Sequence, residues 1–241
     1  MLNGRNNMSD TLQVLSTLAV ELALKSALIP KWQAGGRSIT VDWNPTGVLV
    51  ERVRDGQRGD VLIAIDEPIE DLVRSGILRA GSVRPIAQAS FGLGTRRGTA
   101  RPDILTPEKF KQALLSARSV AYSRMGASGI HFRRVLEELG IAEEINAKAT
   151  IIQAGFTADK VISGEADLAV QQISELMSID GIEVVGPFPD PHQKHTDFSA
   201  AVFSDSSNRD AAEAFIAHLS DGEAAAIYAQ SGLLPRTGLA A

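Results

Sequence analysis

The sequence has no cysteine in its 241 residues. Disulfides, thiolate zinc sites and cysteine nucleophiles are excluded together, while the redox state of the compartment stays open. Aromatic residues are scarce at 5%, against 21 glycines, a balance that suits an alanine-rich α/β protein with many tight turns. Positive charge is also short: the formal net charge is −5, and no block of five like charges occurs. Nucleic acid is therefore disfavoured as a partner, because neutralising phosphates takes a basic surface. No apolar run is long enough to span a bilayer, so membrane insertion is not expected. Nor does any apolar stretch have the charged start and small-residue cleavage site of a secretory signal. Met1–Asp10 is polar. The expectation is a cytoplasmic protein, or a periplasmic one whose leader has been removed. Met8 offers an alternative start, which would make residues 1–7 a disordered or non-native tail.

What is present is an ordinary globular balance, 44% apolar and 22% charged, on a chain long enough for one large or two small domains. Its punctuation repeats one unit, in which an apolar run ends in Ser, Thr, Asn or Gly and an amphipathic stretch follows. Leu12–Leu15 leads through Ser16 and Thr17 into Leu18–Trp32, where Leu18, Leu22, Leu24 and Leu28 recur at helical spacing. Ile39–Trp43 leads through Asn44–Gly47 into Val48–Arg54, and Asp60–Ile65 leads into a helix ending at Gly76. Three strand–helix units in a row predict a parallel sheet with helices on its faces. Ser82–Gly98 then runs long, extended and glycine-punctuated, and a second series starts at Thr106-Pro107, an N-cap followed by a first-turn proline. A second extended segment, Asp197–Phe203, precedes two C-terminal helices. The fold class expected is α/β with two lobes, each a mostly parallel sheet flanked by helices, joined by two crossover segments. Residues 8–87 and 200–241 would form one lobe and 88–199 the other. The alternative is one continuous doubly wound sheet.

In such sheets ligands bind at the carboxyl edge, where helix N-termini offer unpaired N–H groups and partial positive charge. Three turns qualify. Ser16-Thr17 follows a strand directly, and reads equally as an ordinary N-cap. In Asn44-Pro45-Thr46-Gly47, Gly47 lets a ligand approach the backbone and Thr46 offers a hydroxyl; cap plus turn is the competing reading. The strongest is Tyr122–Gly129, where small residues expose N–H groups, Ser123 and Ser128 add hydroxyls, and Arg124 offers a planar fork that matches a carboxylate. All three occupy equivalent positions in successive units. Ser90, on the first extended segment, joins the candidate binding set. Catalytic signals are weaker. His131 and Ser123 are the candidates for proton transfer, with Glu175 and Ser16 as further bases; none sits in a recognisable constellation. His192, His195 and His218 lack metal-ligand spacing, so no metal and no cofactor are expected. No nucleophile elbow and no phosphate loop occur.

With these turns in view, the sequence resembles the type II periplasmic binding proteins, in particular the molybdate-binding-protein-like group. The resemblance covers Leu12 to Pro235. It rests on the strand–Ser16-Thr17–helix opening, Arg58–Ile63, Ala127-Ser128-Gly129, Ile162–Val170 with its Gly-Glu-Ala-Asp segment, and the closing Gly232-Leu233-Leu234-Pro235. It implies oxyanion contacts at Thr17 or Ser16, at Thr46–Gly47, at Ser128 and at Gln172. At Gln171-Gln172 the chain departs from molybdate binders, which usually place a tyrosine there. Arg124 likewise suits a carboxylate better than a tetrahedral oxyanion. The stretch Gln171–Leu176 looks like the branch containing aconitate isomerase. The resemblance thus implies binding of a small carboxylate or oxyanion between two lobes, with an ABC-type permease as partner if the protein is exported. The alternative is a cytosolic isomerase of an unsaturated polycarboxylate, acting by proton transfer.

Overall fold

A computed structural model describes residues 11–236; the expectations about residues 1–7 and Met8 lie outside the described residues. The chain opens with β1 (Thr11–Ser16) and a continuous helical segment, residues 18–34. That segment is a 3-10 turn Leu18–Val20, then α1 (Glu21–Ala23), a π-helical stretch Leu24–Leu28 and α2 (Ile29–Ala34). The widened stretch stands just before Pro30, which has no N–H to close a regular α-turn. β2 (Ser38–Trp43), α3 (Thr46–Arg54), β3 (Val61–Ile65) and α4 (Asp66–Arg74) complete the first series. β1 pairs in parallel with both β2 and β3, as helical crossovers require.

β4 (Arg84–Arg96) is the longest strand at 13 residues. The second series follows: α5 (Pro107–Ser116), β5 (Val120–Ser123), α6 (Ala127–Glu138), α7 (Ala142–Lys148), β6 (Thr150–Ile152), α8 (Ala158–Ile162), β7 (Leu168–Gln172), α9 (Ile173–Met177) and β8 (Ile182–Pro187). The chain returns through β9 (His195–Val202), α10 (Arg209–Leu219), α11 (Gly222–Gln230) and β10 (Leu233–Pro235). Strand order is β2-β1-β3-β9-β4-β7-β5-β6, with β8 and β10 also on β4. β4 and β9 are the two crossover strands. The first half of β4 pairs with β9, its second half with β7 and β8, all antiparallel. Outside these strands the pairs are parallel, β5 with β6 and β7 matching β1 with β2 and β3. The sheet is therefore mixed, its antiparallel part being where the chain crosses between lobes.

Alternation along the strands explains the layering. Leu12, Val14, Val61 and Ile63 enter one core, while Leu15, Leu62 and Ala64 enter another on the opposite face. A period of two with both faces buried places helices on each side of the sheet. The C-terminal helices join the first of these cores through Phe215, Leu219 and Tyr228. The second series has its own pair of cores, one around Phe91, Phe110, Tyr122, Phe132 and Phe188, the other around Val161 and Leu176. The glycines of β4 are close-packing positions. A Cβ on Gly92 would lie 2.7 Å from the carbonyl oxygen of Gly186, and one on Gly94 2.8 Å from Leu176. Buried Asp60, in the Arg58–Ile63 stretch, accepts from Gln13 N (2.7 Å), Ser206 Oγ (2.7 Å) and Asn208 Nδ2 (3.2 Å). It ties the β1 and β3 edges to the start of α10.

Candidate functional site

A cavity of about 570 Å³ lies between the two series, walled by the turns at the carboxyl ends of β1, β2, β3, β5 and β7. Five helical segments begin on it: residues 18–34, α3, α4, α6 and α9. None of the five has a side-chain cap hydrogen bond, and α4 and α9 bring first-turn carboxylates, Glu67 and Glu175, to the wall. Elsewhere α5 and α11 are capped by Thr106 and Asp221, while α7, α8 and α10 lack a side-chain cap as well. First-turn N–H groups on the cavity are thus left without side-chain acceptors, together with the positive end of each helix dipole.

Of the residues singled out in the sequence, Thr17, Thr46, Gly47, Ser123, Ser128 and Gln172 line this cavity. Thr17 is the N-cap residue of its segment, yet its hydroxyl does not cap; its N–H donates to Ile63 O (3.0 Å), fixing the turn against β3. Thr46 Oγ1 accepts weakly from Ile65 N (3.4 Å), and Ser123 Oγ accepts from Gly126 N (3.1 Å). Each therefore keeps its own O–H to donate. Gln172 is buried, and its Oε1 has no hydrogen-bond partner among the described residues.

Five other candidates are not brought to the wall. Ser16 is buried behind it, its Oγ on Thr17 O (3.2 Å). Asn44 braces the β2–α3 turn, donating from Nδ2 to Asp42 (2.7 Å) and from N to Ser16 O (3.1 Å). Ser90 sits on the crossover strands beside His195 Nδ1 (3.1 Å). Arg124 is exposed and does not line the cavity, and its backbone N–H donates to Ile152 O (2.9 Å). His131 points the other way from α6: Nε2 lies 2.7 Å from His192 O, and the ring packs near Phe91 and Phe188. It anchors the β8–β9 connection and is not placed to act as a base in the cleft.

The walls hold more than those turns. Leu18, Val50, Ile65, Met125 and Ile130 give the cavity apolar surface. Glu51, Asp55, Glu67 and Asp71 line its lobe-one side, with Arg54 paired to Asp71 at 3.7 Å. Glu51 stands on the second half of α3 and Asp55 is its C-cap, about 8–14 Å along the helix from Thr46. The cavity is therefore polar in two senses, N–H rich at the helix starts and acidic on a solvated rim. The signal for that rim was helical spacing: Thr46, Gly47, Val50, Glu51 and Arg54 share one face of α3.

Glu175 is the ionisable group of the inner wall. It stands three residues beyond Gln172, the N-cap of α9, whose backbone N–H is near enough to favour its ionised form. Gln171 Oε1 accepts from Thr157 Oγ1 (3.0 Å) and Ala158 N (3.2 Å), which turns its Nε2 onto Glu175 Oε2 (3.1 Å). Burial pushes the Glu175 carboxyl up to about 7, against the lowering effect of those two donors, and the nearby Glu21 carboxylate pushes in the same direction. Among the described residues no cluster of three His, Cys, Asp or Glu side chains is placed to hold a metal ion, and no helix is long and apolar enough to cross a membrane.

Residues 12–234 match the family described as bacterial extracellular solute-binding protein. The chain belongs to this family. An aconitate isomerase from Pseudomonas sp. is 36% identical over 188 residues, covering 78% of this chain and 71% of that one. The periplasmic molybdate-binding protein of Azotobacter vinelandii shares the fold at a TM-score of 0.75 and 18% identity, over 92% of this chain and 98% of that one. The sulfate-binding protein of Mycobacterium tuberculosis H37Rv does so at 0.71 and 17%, over 95% and 88%. The two-lobed α/β architecture expected from the sequence is that of these solute-binding proteins.

Proposed function

We propose that the protein captures a small organic carboxylate in the cavity between its lobes. One observation carries this reading: five helix starts without side-chain caps, from both series, open on a single cavity that also has apolar walls. The N–H groups favour negative charge. The apolar wall argues for carbon, because a bare tetrahedral oxyanion would leave Leu18, Val50, Met125 and Ile130 uncovered. Closing the lobes would bring both sets of donors onto one ligand and exclude water from it. Thr17, Thr46, Gly47, Ser123, Ser128 and Gln172 are the contacts of this reading. An ABC-type permease is the downstream partner where the protein is exported. Thermal denaturation with di- and tricarboxylates, molybdate and sulfate tests it. At a hundredfold excess over Kd a bound carboxylate should raise Tm by about 5–10 °C. No response to any carboxylate would sink the reading.

Glu175 favours a second reading. A carboxyl with a pKa of about 7 on the cavity wall can give or take a proton near neutrality, and the relative with 36% identity is an aconitate isomerase. In this reading the protein shifts the double bond of an unsaturated polycarboxylate, and the helix N–H groups stabilise the enolate-like charge that develops. Proton NMR in deuterated water follows it directly. Interconversion of cis- and trans-aconitate with solvent exchange is the expected signature, and silence on both isomers rejects it.

A further inference from the structure

We propose that Glu175 makes ligand capture proton-coupled: an organic carboxylate and one proton enter the cleft together, and the proton rests on the Glu175 carboxyl. This deepens the binding reading above and rests on it.

The geometry leaves little alternative once an anion occupies the cavity. Glu175 lines the same wall as Gln172 and the start of α9. A captured carboxylate therefore shares a confined, partly apolar space with it, and two like charges there repel strongly. Among the described residues the one cation lining the cavity is Arg54, across it from α9 and already paired with Asp71 at 3.7 Å. The elements packed on α9 are β4, β7, β8, the turn at Leu18–Val20 and α1. β7 and the Leu18–Val20 turn carry no charged residue. Arg84 and Arg96, at the two ends of β4, bind backbone carbonyls elsewhere, and Glu183 on β8 is paired with Arg101. From α1 comes Glu21, a second carboxylate, whose partner is Lys25 and whose Oε2 is buried without a partner among the described residues. Across the cavity stand Glu51, Asp55, Glu67 and Asp71, with Arg54 held by Asp71.

Neutral hydrogen bonds are what hold Glu175. Gln171 cannot turn its acceptor toward it, because its Oε1 already takes Thr157 and Ala158. Nothing in the wall prevents protonation, and the protonated acid gains an O–H that can be donated to the ligand. Burial already holds the empty-site carboxyl near neutrality, so a modest further push completes the uptake above pH 7. The sign follows: the free protein is mostly ionised at Glu175 above pH 7 and takes a proton from buffer on binding, whereas below it the proton is already present. In the isomerase reading the two roles agree, since the field that draws a proton onto Glu175 also makes its ionised fraction a stronger base.

Calorimetric titration of the full chain with trans-aconitate, in buffers of different ionisation enthalpy, measures the uptake. At about pH 8 between roughly half and one proton should be taken up per ligand, and at about pH 6 close to none. The affinity should fall up to about tenfold per pH unit above neutrality. Glu175→Gln should bind without uptake and without that slope. Should this variant not fold, glutamate labelled at the carboxyl carbon gives the same answer by NMR, as a carboxyl whose near-neutral midpoint climbs when trans-aconitate is added. Binding without uptake by the unmodified protein, or the same uptake by Glu175→Gln, overturns the proposal and leaves the binding reading standing. If trans-aconitate, the other carboxylates and the oxyanions all fail to bind, both fall together.

Discussion

Gly129→Ala should destabilise the protein by about 3 kcal/mol or more and abolish ligand capture. The first turn of α6 lies directly on the end of β5. A Cβ at Gly129 would stand 1.8 Å from the Ser123 carbonyl oxygen and 2.8 Å from its carbon. Both are backbone atoms of a buried strand, so no side-chain rotation relieves the overlap. Either α6 lifts from the sheet or β5 is displaced, and each moves Ser123 and Ser128 from the cavity wall. Gly126→Ala is the control. Its Cβ would meet only the tip of Ser123, Oγ at 2.4 Å, which a rotation moves. Urea denaturation should show a large loss for the first variant and a much smaller one for the second. An unchanged midpoint for Gly129→Ala would mean that the β5–α6 junction is wrongly described.

Gly47→Asp should do the reverse, sparing stability while weakening anion capture by about 100-fold or more. An added Cβ at Gly47 meets nothing within 4 Å, and the residue is exposed in the first turn of α3. A carboxylate there is favoured by the helix dipole, by up to about 0.5–1 kcal/mol, so folding should be unharmed. The same carboxylate occupies the wall of the cavity and replaces an anion-attracting helix start with a like charge. At about 4 Å and an effective dielectric near 20, that repulsion is of the order of 4 kcal/mol. Measured affinity for trans-aconitate against the thermal midpoint of the unliganded protein separates the two effects. Undiminished affinity would place the ligand away from α3.

Both variants turn on glycines, and they differ in how readable they were. Gly47 stood at the end of an apolar run before an amphipathic one, and local order alone marked it as a place for ligand approach. Gly129 was visible only as part of a small-residue turn; that its hydrogen atom faces a strand carbonyl is a long-range fact. The same division holds for the elements. α3, α6 and the crossover strands are long or strongly periodic, and short β1 and β5 stood out as apolar runs directly before Ser- or Gly-marked turns. α7, α9, β8 and β10 went unread: with 3 to 7 residues they hold few turns or alternations, and no turn signal set them off as it did equally short β5 and β6.

The candidate site divides in the same way. Thr17, Thr46, Gly47, Ser123 and Ser128 were legible because strand–helix turns in a parallel arrangement share one edge. Arg124 and His131 carried chemistry that local reading could not aim. One residue along a turn or a helix changes direction by a large angle, and Arg124 faces solvent while His131 serves the β8–β9 connection. Glu175 was named as a possible base, but its raised pKa was not legible, for a different reason. Its shift arises from burial and from Glu21, 154 residues away by number (175 minus 21), and no local pattern encodes such a neighbour.

The order of apolar runs, caps and glycines was enough by itself to determine an α/β chain of strand–helix units and to favour two lobes over one continuous sheet, since strand, helix and turn preferences act over a few residues. Which side chains meet across the cleft, and in which protonation state, was decided only by the folded arrangement. Desolvation and like-charge repulsion depend on distances that the chain sets after it has crossed between lobes twice.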